Sequence, residues 1–137
     1  MKNKFKLIGI ILIISNFLIA CDKEESEINI KETKWRIIHV KDIGTTFSQR
    51  AKEEYILEFS NDNHYSINLD VNDCWGNYNI LNDKEIFISG SGCTEACCDS
   101  EFAEDLLELL KKMNKYNIKG DNLFLLSNNQ QIKLRKK

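Results

Sequence analysis

The chain has 137 residues, 42% hydrophobic and 29% charged, with a formal net charge of −2. That is one domain's worth of sequence, with enough apolar material for a single core. No basic stripe is visible along it, which argues against nucleic acid as a partner. The short basic end, Lys133, Arg135, Lys136 and Lys137, reads as a solvated tail.

The N-terminus carries Lys2, Lys4 and Lys6, then runs apolar from Leu7 to Ala20 apart from Gly9, Ser15 and Asn16. A basic start, a short apolar core and a small residue before a cut point describe an export signal over residues 1–20. The run is shorter than the roughly 20 residues that span a bilayer. Leu18-Ile19-Ala20-Cys21 resembles the lipobox of bacterial lipoproteins. The resemblance implies cleavage before Cys21, lipid on its sulfur, acylation (palmitate) of the new N-terminus, and a membrane as partner through that anchor. Acyl chains hold by burying CH₂ groups, each worth roughly 0.8 kcal/mol.

Asp22-Lys23-Glu24-Glu25-Ser26-Glu27 follows, in a segment expected to be a flexible tether over residues 21–32, because it is charged and lacks an apolar period. It resembles the acidic, lysine-containing signals after the lipidated Cys in surface lipoproteins of some Gram-negative bacteria. Asp directly after the Cys favours inner-membrane retention in other lineages. The expected location is the cell envelope, lipid-anchored at the outer membrane and open to the surface.

Residues 33–137 are expected to form the domain. Lys34–Val40 is rich in β-formers and places Trp35, Ile37 and His39 on one face. Residues 41–52, with Gly44-Thr45-Thr46, read as a loop. Tyr55–Phe59 and His64–Asp70 flank the turn residues Ser60-Asn61-Asp62-Asn63 and alternate in the manner of a hairpin with one wet face. Cys74–Ile80 and Glu85–Ser89 are separated by a turn at Asn82-Asp83. One helix is expected at about residues 100–114, since Phe102, Leu106, Leu109, Leu110 and Met113 recur at helical spacing. Asp99 or Ser100 caps it. Acidic residues lie early and Lys111, Lys112 and Lys115 late, in the sense the helix dipole favours. Tyr116–Lys119, Leu123–Leu126 and Gln131–Leu134 complete the pattern, with turns at Gly120-Asp121-Asn122 and Ser127-Asn128-Asn129. The expected fold is α+β: a curved antiparallel sheet or partly closed barrel of about seven short strands covered by one helix.

Four cysteines remain beyond Cys21: Cys74, Cys93, Cys97 and Cys98. In an exported chain an even count indicates two disulfides. Vicinal pairing of Cys97 with Cys98 is the least favoured of the three connectivities, which leaves Cys97 or Cys98 to reach Cys74 and Cys93 to take the other. Zinc is the rival, but the C-x₂₋₄-C pairs of a structural site are only half present, and no metal is expected.

Together these landmarks resemble the META/HslJ family: Trp35, Phe59-Ser60-Asn61-Asp62, Asn72-Asp73-Cys74-Trp75-Gly76-Asn77-Tyr78, Thr94 with Cys98, the helix, Tyr116, Gly120-Asp121-Asn122-Leu123-Phe124-Leu125 and Ile132-Lys133-Leu134. Asp73-Cys74-Trp75 stands where Gly-Cys-Asn is common. The resemblance implies no enzymatic activity and links the chain loosely to envelope stress tolerance.

Catalytic chemistry finds no foothold in the residues. His39 and His64 are the only histidines, and neither has an evident geometric partner. Asp70-x-Asn72 begins like a calcium loop, but position five would be Cys74 and position twelve Leu81. Ser89-Gly90-Ser91-Gly92 precedes cysteines rather than a phosphate-binding helix. Trp75 and Tyr78 could line a binding surface, but a sheet aromatic ordinarily belongs to the core, which is where both are expected. No catalytic residue and no cofactor are expected. Two functions follow: a membrane-anchored, non-catalytic envelope domain that binds a protein or stabilises the envelope, or a module holding a small hydrophobic or peptide ligand in the open mouth of its sheet. A filled core favours the first and a deep apolar pocket the second.

Overall fold

The computed structural model describes residues 29–137; the export signal, Cys21 and most of the tether lie outside the described residues. Its elements run β1 (Thr33–Asp42), β2 (Ser48–Arg50), β3 (Ile56–Phe59), β4 (His64–Asn68), β5 (Asp73–Asn82), β6 (Glu85–Cys93), α1 (Glu101–Leu110), β7 (Lys115–Lys119), β8 (Asn122–Leu126) and β9 (Gln130–Lys136). Every described strand joins one antiparallel sheet, and β9 returns to pair with β1. Strands β1 and β3–β9 therefore form a closed barrel, with β2 lying beyond β3 along the same edge of β1. Closure removes the unpaired edges that an open sheet exposes.

The α+β expectation shifts to a mainly β protein, and nine strands replace about seven. The segment read as a loop contains β2, whose Ser48, Gln49 and Arg50 pair with Lys41, Val40 and His39. The supposed solvated tail is the strand that closes the barrel: Arg135 pairs with Arg36 and Lys136 with Trp35. Local composition cannot reveal such a pairing, because its partner lies at the other end of the domain.

Alternation sorts side chains between interior and outside. Trp35, Ile37, Leu57, Phe59, Tyr65, Ile67, Tyr78, Leu123, Leu125, Ile132 and Leu134 are buried and fill the barrel. The phase of β1 changes once. A bulge between Ile37 and His39 puts Val40 inside, so His39 does not share the inner face with Trp35 and Ile37. An extra residue in one strand turns the following side chains over.

The β5–β6 pair is also bulged, with the register shifting between Trp75 and Asn77. At that point a Cβ on Gly76 would run into the carbonyl oxygens of Gly90 and Ser89 and the ring of Tyr65. Gly90 itself takes φ +67°, a conformation glycine adopts without penalty, and its carbonyl accepts the Tyr65 hydroxyl at 2.8 Å.

Helix α1 is shorter than expected. Ser100 caps it, its side chain accepting from Ala103 N. At the other end Lys112 N bonds Leu109 O and Met113 N bonds Leu110 O, a three-residue spacing that tightens the last turn. Asn114 N then bonds Leu126 O and the chain enters β7. Ala103, Leu106, Leu109, Leu110 and Met113 are buried. The Phe102 ring lies 5.5 Å from that of Tyr55, and Leu106 and Leu109 line a groove with Val40, Phe47 and Gln130. The helix thus covers the end of the barrel where β1 finishes and β3 and β9 begin. No described helix is long and apolar enough to cross a membrane.

Candidate functional site

Two links meet beside the start of α1. One joins β4 to β5 (Leu69–Asn72), and the other joins β6 to α1 (Thr94–Ser100). Asn72 is the buried polar side chain among the described residues, and it makes the joint. Its Oδ1 accepts from Thr94 Oγ1 and Ala96 N, each at 2.8 Å. Its Nδ2 donates to Ala96 O at 2.8 Å and to Asp99 Oδ2 at 2.6 Å. Asp99 Oδ1 accepts from Val71 N at 2.9 Å and Asn72 N at 3.3 Å. A buried amide with every group paired avoids the desolvation cost of an orphaned polar atom.

Asp70 continues the network. One oxygen accepts the Tyr55 hydroxyl at 2.7 Å, and the other accepts Ser100 N at 2.8 Å and Ser100 Oγ at 2.5 Å. The Ser100 and Tyr55 hydroxyls hold the Asp70 carboxyl below its ordinary range. Burial works against the Asp99 carboxylate, but the donors from Val71 and Asn72 outweigh it and its pKa is also lowered. Burial pushes the Tyr55 hydroxyl up. Both carboxylates are held in the ionised form by these donors, and their hydrogen bonds tie the two links together as a latch. It occupies the oxygens of Asp70 and Asn72, the two residues that began like a calcium loop. No group of three or more His, Cys, Asp or Glu that could hold a metal occurs among the described residues.

The cysteines sit against this latch, and their pairing corrects the expected one. Cys74 and Cys93 face each other across β5 and β6 and are bridged, with S–S 2.06 Å and Cα–Cα 4.1 Å. Cys97 and Cys98 are joined to each other in the exposed loop between Ala96 and Asp99. The register decides this: Cys74 points into the barrel with its cross-strand neighbour already in reach, so neither Cys97 nor Cys98 is its partner.

Trp75 and Tyr78 part company. Tyr78 is buried and donates its hydroxyl to Ser60 O at 2.6 Å. Trp75 points outward, 49% exposed, with its indole over Gly92. Phe87, 57% exposed, shares that outer face of β5 and β6, and Leu81, 59% exposed, extends it. His64 lies outside on β4 with Nδ1 3.1 Å from Asp62. His39 is half-buried on the outside of β1, its pKa lowered by burial and then by Lys133, Lys41 and Arg50. The structure does not bring the two histidines together, as His39 lies on β1 and His64 on β4. The latch itself was not legible beforehand. Asn72 and Thr94 stood among the family landmarks, but nothing local linked Asn72 to Asp99 across the intervening strands.

A META domain family model matches residues 28–137. No curated protein matches the sequence. Among solved structures, the fold is similar to the NMR structure of a protein from Burkholderia xenovorans, with a TM-score of 0.66 and 15% identity over 79% of this chain and 83% of that one. It is also similar to the crystal structure of a DUF4847 family protein from Bacteroides vulgatus, with a TM-score of 0.59 and 10% identity over 76% of this chain and 92% of that one. At such identities the likeness concerns the fold alone. The family match spans the barrel, the helix and the latch alike, and this chain belongs to the META domain family.

Proposed function

We propose that this protein is a non-catalytic domain of the cell envelope, lipid-anchored through Cys21 at the outer membrane, which binds another envelope protein through the outside of its barrel and serves envelope stress tolerance. One observation carries the reading: the inside is full. Trp35, Leu57, Phe59, Ile67, Leu123 and Leu134 are completely buried within the barrel, and α1 covers one end. A small apolar or peptide ligand held in an open mouth would need the volume these side chains occupy. The outer face of β5 and β6 gathers Trp75, Leu81 and Phe87, three of the exposed large hydrophobics, and exposed aromatics of this kind anchor protein contacts. The absence of catalysis is supported by the latch, whose carboxylates are committed to backbone and side-chain donors.

Two measurements test the reading. Labelled palmitate is expected in the wild type and not in Cys21→Ser, with the variant leaving the membrane fraction; equal labelling overturns the anchor. Photo-crosslinkers at positions 75 and 87 in intact cells are expected to give a discrete protein adduct. No adduct from a folded protein overturns binding through this face.

A further inference from the structure

The closing pair of strands builds a charged surface that neither end of the domain carries alone. Register puts Arg36 directly opposite Arg135, and His39 opposite Lys133. Strand β2 then sets Arg50 beside His39 on the other edge of β1. Like charges directly opposite one another in a sheet are unfavourable, and here they are gathered over three strands in a chain of net charge −2. Arg36, Arg50, Lys52 and Arg135, with Glu53 and Glu54, line a surface hollow of about 410 Å³. Glu54 is already engaged by Lys137 at 3.0 Å, so the hollow keeps an excess of positive charge. Of the carboxylates on these neighbouring strands, Glu58 on β3 is engaged by Lys34 at 2.8 Å, and Asp42 at the end of β1 accepts from Gln130 Nε2 at 3.1 Å.

The position of the chain entry matters as much as the charge. β1 begins at Thr33, next to the C-terminal end of β9, and Lys137 N bonds Lys34 O. The N-terminal segment therefore enters at the border of the basic face. From Cys21 to Asn29 the chain spans at most about 28 Å when fully extended. A lipid on Cys21 would hold Asn29, just before the strand that carries Arg36, within that distance of a bilayer. Around the barrel, β5 and β6 stand as far from β1 and β9 as the strand order allows, so the Trp75 face points the opposite way.

We infer that the outer face of β1, β2 and β9, through Arg36, Arg50, Lys133 and Arg135, lies on the anionic headgroups of the bilayer that holds Cys21, leaving the Trp75 and Phe87 face turned outward for a protein partner. The inference rests on the anchor proposed above. Juxtamembrane cations gain from the negative potential of an anionic leaflet, by roughly fivefold in partitioning for each Lys or Arg near the surface, and the gain is screened by salt.

The test separates the face from the anchor. A lipid-free chain from Asp22 to Lys137 keeps every described strand, the helix and the core. It is sedimented with vesicles of phosphatidylcholine alone or mixed with phosphatidylglycerol. Binding is expected only with the anionic lipid, weakening as salt rises. Arg36→Glu/Arg135→Glu should reduce it more than about tenfold. Lys84→Glu/Lys115→Glu, the same charge change near the thin β6–β7 seam, should reduce it far less. Circular dichroism checks that both variants are folded. Equal binding to neutral vesicles, equal losses in both variants, displacement by inorganic phosphate at matched phosphate concentration, or tighter binding to a duplex oligonucleotide would each overturn the inference. Palmitate labelling decides the anchor independently of these vesicle results.

Discussion

Asn72 Nδ2 lies 2.6 Å from Asp99 Oδ2, and the main-chain N–H of the same asparagine reaches the other oxygen of that carboxylate. One residue thus clamps the β4–β5 link to the segment that leads into α1. The contact joins positions 27 apart in the chain, and it fixes where the helix begins relative to the barrel end it covers.

Loss of that clamp has a definite cost. Asn72→Ala leaves Asp99, Ala96 and Thr94 without their partner, and removing one side of a buried hydrogen-bonded set costs about 1–3 kcal/mol. Urea denaturation should show the unfolding free energy falling by that amount, read as a lower midpoint with an unchanged slope. An unchanged midpoint would mean that the latch contributes nothing.

Acid should open the latch. The Asp70 and Asp99 carboxyls titrate lower in the folded protein than in the unfolded chain, where the value is about 3.9. Their stabilisation is complete above that value and is lost as pH falls through the lowered folded values. Stability measured from pH 6 downwards should hold until about pH 4 and then decline. Asp99→Asn should flatten this acid limb.

The disulfides can be mapped without reduction. Cleavage after Lys84 and Glu95 separates Cys74, Cys93 and the Cys97–Cys98 pair. Mass spectrometry should find the Cys74 and Cys93 peptides linked, and Cys97 and Cys98 oxidised within one peptide. A peptide joining Cys74 to either Cys97 or Cys98 would falsify the register described for β5 and β6. The Cys74–Cys93 bridge closes a loop of 19 residues, and replacing both by Ser should cost about 3 kcal/mol.

Glycine at position 76 is a packing requirement. The carbonyls of Gly90 and Ser89 and the Tyr65 ring leave no room for a methyl group. Gly76→Ala should cost about 1–3 kcal/mol through overpacking and backbone displacement. Thermal denaturation of this variant beside Gly120→Ala, which meets no neighbour, separates the effect of crowding from that of backbone conformation.

The helix supplies the last comparison. Leu106 is 1% exposed, and Leu106→Ala should cost about 2–5 kcal/mol. Glu108 is on the outside, paired with Lys111, and Glu108→Ala should leave the denaturation curve nearly unchanged. Similar small losses in both would mean that α1 does not cover a core.

Local periodicity alone determined much of this protein. Tyr65, Ile67 and Leu69 alternate with polar neighbours, and the Phe102–Met113 spacing marks one helical face, because side-chain direction follows the backbone repeat. Turn residues such as Asn82-Asp83 and Gly120-Asp121-Asn122 placed the hairpins for a similar reason. Trp75, expected in the core with Tyr78, faces outward instead, because Cys74, Gly76 and Tyr78 hold the inner face of β5. Only the tertiary structure decided the rest. Closure depends on β1 meeting β9, and no short-range signal in Lys133–Lys137 names a partner a domain's length away. The bulge after Ile37 reverses His39, which a strict two-residue repeat cannot anticipate. Cys93 rather than Cys97 or Cys98 meets Cys74 because strand register sets distance, whereas cysteine count sets only the number of bridges. The basic face has the same origin: its charges lie dispersed in an acidic chain until three strand pairings bring them side by side.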